Sequence, residues 1–135
     1  NGVDVTVDNS KVDISKKLTF KGKMFSNIPN LAVSFGYARA SYTLGADLSS
    51  EFVCRLLNYM NKNGYDSCTP VPSEGVESEG TMLNLSSGYV KRAVDKMPKQ
   101  GSRAPWQGNQ SYLADVAQVR WRSIKNEDLQ FKSAN

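Results

Sequence analysis

The side chains that move protons, hold metals or attack carbonyl groups are scarce in this chain of 135 residues. It contains no histidine. Ser-His-Asp and Cys-His nucleophilic catalysis, His-ligated zinc and His proton relays are therefore excluded within it. The two cysteines, Cys54 and Cys68, are too few for a disulfide scaffold or a four-cysteine metal site. Cys54 falls in an apolar helical pattern and Cys68 in a polar stretch. Both read as free thiols in a reducing, cytoplasmic setting, with one disulfide as the alternative. No GxGxxG, GxxxxGK[ST] or HExxH motif occurs.

Four weaker features remain. A run of small residues, Gly36, Ala38, Ala40 and Ser41, would let backbone approach a flat ring. It equally describes an ordinary tight strand-to-helix connection. Lys96, Lys99 and Arg103 could meet a phosphate, although solvated loop charges are the simpler reading. Met24 and Phe25 could line a pocket and read more simply as core. Lys21-Gly22-Lys23 suggests nothing beyond a surface or interdomain ion pair.

Charge is uneven. Residues 1–90 carry 8 basic and 9 acidic groups, and residues 91–135 carry 9 and 4. A mildly basic end can attract phosphate or nucleic acid, but a solvated face is the reading kept here, with no nucleic-acid partner. With 39% apolar and 22% charged residues, the chain has the composition of a globular domain rather than of disorder. Its apolar runs are too short for a transmembrane segment, and no signal peptide is recognisable. It opens on Asn1 rather than Met, as expected of a trimmed product or an excised fragment.

The elements that must position these residues follow from periodicity. Residues 3–7 alternate apolar and polar, Asp8-Asn9-Ser10 is a turn cluster, and 12–14 resume the alternation, which predicts a short hairpin. Gly22 breaks the alternation of 18–25 and suggests a bulge or a close backbone approach. After the turn at Asn27–Asn30, residues 31–35 (LAVSF) read as a buried strand and 36–45 as a loop. A helix is predicted from Ala46 to Asn63. Its apolar face is Leu48, Phe52, Val53, Leu56, Leu57 and Met60, Asp47 favours its dipole, and Gly64 ends it. Residues 65–80 read as a surface loop, and Met82, Leu83 and Leu85 as a short extended piece. A second helix begins at Ser86 or Ser87, with Val90, Ala93, Val94 and Met97 inward, and stops at Pro98. A loop over 98–109 is anchored by Trp106. A third helix spans Gln110 to Trp121 or Arg122 with Tyr112, Leu113, Val116 and Val119 inward, and 129–131 are extended. The fold class is α+β: a short hairpin and buried strand plus about three helices.

The stretch Lys21 to Tyr59 carries a resemblance. Lys21-Gly22-Lys23-Met24, Ile28-Pro29-Asn30, Gly36-Tyr37, Ala40-Ser41-Tyr42-Thr43-Leu44, Ala46-Asp47-Leu48 and Glu51 to Leu57 resemble the C-terminal part of the FAD-dependent monooxygenases of the Baeyer–Villiger kind. The likeness is greatest to the ethionamide-activating monooxygenases of actinobacteria. It continues through Ser87 to Arg92, Pro98 to Arg103, Pro105-Trp106, Asn109-Gln110 and Tyr112-Leu113. Tyr42 departs from the pattern, standing where tryptophan is common.

The resemblance implies that residues 1–64 end a Rossmann-like FAD domain and that 65–135 form a C-terminal extension. It implies a parent that uses NADPH and FAD to insert one oxygen of O2 into a ketone or to oxidise sulfur in a small organic substrate. Ligands of doubly wound folds sit beyond the carboxyl ends of strands. The residues implied to face the flavin are therefore Tyr37, Ala38, Ala40, Ser41, Tyr42, Thr43, Ala46, Asp47 and Leu48, the last three supplying helix N–H groups. The chain has no Gly-rich turn for the FAD pyrophosphate. Alone it is expected to be inactive, to bind no FAD or NADPH, and to associate with itself or with the remaining parent domains. A free-standing interaction module derived from such an enzyme is the alternative.

Overall fold

The computed structural model describes residues 4–37, 41–81, 94–108 and 111–134. Within them the chain is α+β: two α-helices and four two-stranded antiparallel sheets. The extended piece expected at 82–85 and the body of the expected second helix lie outside the described residues. Only a 3-10 turn at Val94–Lys96 is described near that helix's end.

The hairpin forms as the alternation requires, from β1 (Val5–Val7) and β2 (Ser10–Val12). Asp8 and Asn9 both take positive φ, 50° and 64°, the handedness that matches strand twist in a two-residue turn. Ile14 does not extend the hairpin, because Asp13 caps a 3-10 turn over Ile14–Lys16. A second, tighter pair is β3 (Thr19–Phe20) and β4 (Met24–Phe25). Its turn puts Lys21 and Gly22 at φ 52° and 64°, and the Lys23 N–H donates to the Phe20 carbonyl at 2.9 Å. Gly22 therefore serves this turn rather than a bulge or a close approach.

The buried strand expected at 31–35 does not form, and no Rossmann-like layer is seen among the described residues. Ala32 makes one isolated bridge to Met24, and the Val33 N–H donates to the Lys23 carbonyl. A partner strand only two residues long offers no ladder for more.

Helix α1 runs Tyr42–Asn63, one turn earlier than expected. Leu48, Phe52, Leu56 and Met60, four residues apart, make its buried stripe. Each such side chain contributes roughly 1.5–3 kcal/mol on burial. Leu57, expected inside, is 57% exposed, since it stands about 100° around the helix from Leu56. Gly64 takes φ 69° at the C-cap, and the Tyr65 N–H returns to the Met60 carbonyl at 2.9 Å.

The supposed loop 65–80 holds two strands. β5 (Ser67–Pro70) pairs with β8 (Leu129–Lys132), and β6 (Ser78–Thr81) pairs with β7 (Lys99–Gly101). Cys68 is therefore a buried strand residue rather than part of a polar loop, while Cys54 is exposed; both thiols are free. Helix α2 runs Tyr112–Arg120 and packs on α1. Leu113, expected inward, is 76% exposed; the inward positions are Tyr112, Asp115, Val116 and Val119.

One core joins these pieces. Trp106 is fully buried, edge-on to Phe20 at 5.3 Å, and a side chain on Gly101 would stand 2.6 Å from its Cβ. Phe20, Met24, Cys68, Val119, Ile124 and Leu129 complete the core with the α1 stripe. No helix among the described residues is long and apolar enough to cross a membrane.

Candidate functional site

Two glycines bring the end of the extended segment against the start of α1. A Cβ on Gly45 would meet the Phe35 carbonyl oxygen at 2.9 Å and the Gly36 Cα at 3.0 Å. A Cβ on Gly36 would collide with the Tyr42 ring. The Tyr42 hydroxyl donates to the Ser34 carbonyl at 3.1 Å. The chain thus reverses through a close backbone approach that side chains would prevent.

Ser41 is the N-cap of α1, but its side chain makes no capping bond; its hydroxyl pairs with that of Thr43 at 2.7 Å. The first-turn N–H groups of Tyr42, Thr43 and Leu44 have no intrahelical partner. The residues predicted to face a ring separate accordingly. Ser41, Tyr42 and Thr43 are exposed at this helix end. Ala46, Asp47 and Leu48 lie in the second turn, because the helix starts four residues early, so their N–H groups are not the free ones. Asp47 is exposed, and Leu48 is fully buried in the core. Ala38 and Ala40 lie outside the described residues.

Tyr37 turns instead toward a buried charge cluster that sequence reasoning missed. Lys23 and Asp115 are 3% and 5% exposed. The Lys23 ammonium donates to Asp115 Oδ1 at 3.0 Å and Oδ2 at 3.2 Å, and to the Lys21 carbonyl at 3.3 Å. The Tyr37 hydroxyl donates to Asp115 Oδ2, and its ring meets Tyr112 edge-on at 6.1 Å. Burial first, then the hydrogen bond and charge of Asp115, push the Tyr37 phenol above its ordinary range. The cluster fastens Tyr37, which follows Gly36 within the small-residue run, to the middle of α2. A visible signal existed: Asp115 is a charged residue on the apolar stripe of a helix, a position that demands a partner.

The other basic candidates are structural or solvated. Arg103 donates to Ser73 Oγ at 3.0 Å and to the Glu74 carbonyl at 3.2 Å, so it ties two loops together. Lys96 and Lys99 are exposed. Met24 and Phe25 are core, as read from sequence. No group of His, Cys, Asp or Glu among the described residues could hold a metal ion.

The sequence-level resemblance is borne out by comparison with known proteins. The chain is 49% identical over 131 residues to the FAD-containing monooxygenase EthA of Mycobacterium tuberculosis, covering 96% of this chain and 27% of that protein. It is 44% identical over 115 residues to the probable FAD-binding monooxygenase AlmA of Acinetobacter baylyi, covering 84% of this chain and 23% of the relative. It is 38% identical over 134 residues to the putative FAD-containing monooxygenase MymA of M. tuberculosis, covering 98% of this chain and 27% of the relative. The chain therefore spans about a quarter of the length of the curated relatives it matches. No protein-family profile matches it, and no solved structure does.

Proposed function

We propose that this chain is the C-terminal segment of an FAD- and NADPH-dependent monooxygenase, whose α1 N-terminus closes one side of the flavin site. The observation that carries the reading is the 49% identity over 96% of the chain to a protein named for FAD. FAD, when bound, would supply the redox chemistry that places one oxygen of O2 on a small ketone or sulfur-containing substrate. The chain's own contribution is positional and electrostatic. The first-turn N–H groups of residues 42–44, left uncapped by the Ser41 side chain, suit the electron-rich edge of a reduced ring.

The donor set fits one edge of the cofactor and no more. A pyrophosphate needs a Gly-rich turn feeding a helix, which this sequence lacks. In this reading residues 1–64 end the FAD domain, and 65–135 are an extension folded back on it through Lys23–Asp115, the packing of α2 on α1 and the Asn30–Cys68 backbone contact. Exposed Leu57, Leu113 and Trp121 are then surface for the rest of the parent, or for a second copy when the rest is absent. The test compares two proteins. The full-length protein should purify with FAD and oxidise NADPH in step with product from a ketone or sulfide. The 135-residue chain should do neither. A full-length protein without flavin, or NADPH turnover by the chain alone, would refute the proposal.

A further inference from the structure

Lys21 is accounted for by neither the core nor the flavin reading. It is 9% exposed, yet its ammonium has no hydrogen-bond or ion-pair partner among the described residues. It lies over the rings of Phe20 and Phe52, 5.6 and 5.7 Å from their centroids, contacts that help to hold a cation but do not neutralise it. The charged groups acting on it are Lys23, Arg55 and Arg122, with Asp115 the single anion. Asp115 is already engaged by Lys23 and Tyr37. The result is a buried, uncompensated positive site.

A cleft lies beside that site. Lys21 lines a cavity of about 630 Å³ between its own turn, the Ala104–Pro105 bend, α2 and the segment that follows it. Ala104, Pro105, Ala114 and Ala117 give the cleft apolar lining, and Arg122 and Lys125 bring two more cations. The acids on the cleft, Glu127 and Asp128, do not serve Lys21. Neither forms an ion pair with it, and Asp128 Oδ1 accepts the Ser73 N–H at 2.9 Å. A concave, partly apolar cavity of this size with a few convergent polar groups has the form of a small-ligand site.

We propose that this cleft binds a small organic oxyanion, with the phosphate or carboxylate group on the Lys21 ammonium and Arg122, and the apolar body against Ala114 and Ala117. The site lies on α2 and the turn before β4, and the proposal does not depend on the flavin reading. An oxyanion would supply the counter-charge Lys21 lacks, and a guanidinium fork beside an ammonium suits either head group.

The test uses the 135-residue chain carrying lysine labelled with 13C at the ε carbon. Sodium sulfate and sodium acetate serve as probes, with sodium chloride holding ionic strength constant. The Lys21 ε resonance should shift saturably near neutral pH, and its titration midpoint should rise from about 8. Lys21→Met should remove saturable binding read at the Arg122 side chain. Ala117→Leu, which fills the cleft without touching charge, should weaken it at least tenfold while leaving Lys21 in place. A shift that only follows salt, or one unchanged by Ala117→Leu, would overturn the proposal. So would a Lys21 midpoint already near the ordinary lysine value and unmoved by either probe in the full-length protein, because a carboxylate from the remaining polypeptide would then hold the ammonium.

Discussion

Lys21 and Lys23 stand two residues apart on one tight turn, both buried, and they meet opposite surroundings. Lys23 reaches into the interior and finds Asp115, itself fixed by Tyr37. Lys21 lies on two phenylalanine rings at the edge of a cleft and finds no anion. A buried charge that the fold satisfies holds the fold together; one it leaves open is available to something that binds. One turn, β3–β4, thus supports a structural cluster on one side and a recognition surface on the other.

The contrast can be broken first at Asp115. Asp115→Ala leaves the Lys23 ammonium buried and unpaired, which should cost about 3–5 kcal/mol in chemical unfolding. A loss near that of a surface substitution would mean that Lys23 escapes to water. An apolar yardstick comes next. Leu56→Ala should cost about 2–5 kcal/mol, whereas Leu57→Ala, on the exposed face, should stay within about 0.5 kcal/mol. Equal losses would place the wrong face of α1 inside. Tyr37→Phe removes one hydrogen bond to a charged acceptor and should cost about 1.5 kcal/mol, less if Asp115→Ala is already present, since the two share one network.

The smallest effect sharpens the other side. Burial, followed by Lys23, Arg55 and Arg122, lowers the Lys21 ammonium to about 8 from 10.5. Between those values the unfolded chain binds more protons than the folded one, so this group makes the fold more stable as pH rises. Below pH 8 the charged ammonium carries its full burial cost. Lys21→Met should therefore stabilise the chain by on the order of 1 kcal/mol at neutral pH, an advantage that shrinks above pH 8. Cys68, raised by burial from 9.0 to about 11, works in the opposite direction above pH 9. Cys68 is present in both proteins and cancels from their difference, so the readable window runs from pH 8 to 10.5, and a constant difference across it would argue against a strained lysine.

Much of this architecture was legible in sequence where the signals are local. The Asp8-Asn9 turn, the four-residue spacing from Leu48 to Met60 and Gly64 each act through neighbours a few positions away, and Trp106 is legible by its type, a large aromatic ring in a loop. Long-range partners were not legible. β5 reads as loop because Ser67–Pro70 becomes a strand only against β8, some sixty residues on. The apolar run of 31–35 suggests a strand but cannot show that its partner, β4, has only two residues. The first turn of α1 is hidden because residues 36–45 show no apolar period; its place is fixed by the Gly36–Gly45 approach. Of the residues expected to face a flavin, 41–43 stand at the exposed start of α1 and 46–48 one turn further in, a placement set by that same turn. The Lys23–Asp115–Tyr37 cluster joins three segments that no spacing connects.

The most direct trial of the flavin reading places bulk at the helix end in the full-length protein. Thr43→Trp puts an indole on the first turn of α1, and Lys62→Trp puts the same ring on the exposed last turn as a control. The account predicts that Thr43→Trp lowers bound FAD several-fold, or uncouples NADPH oxidation from product, while Lys62→Trp changes neither. Full flavin content and full coupling in Thr43→Trp would contradict it.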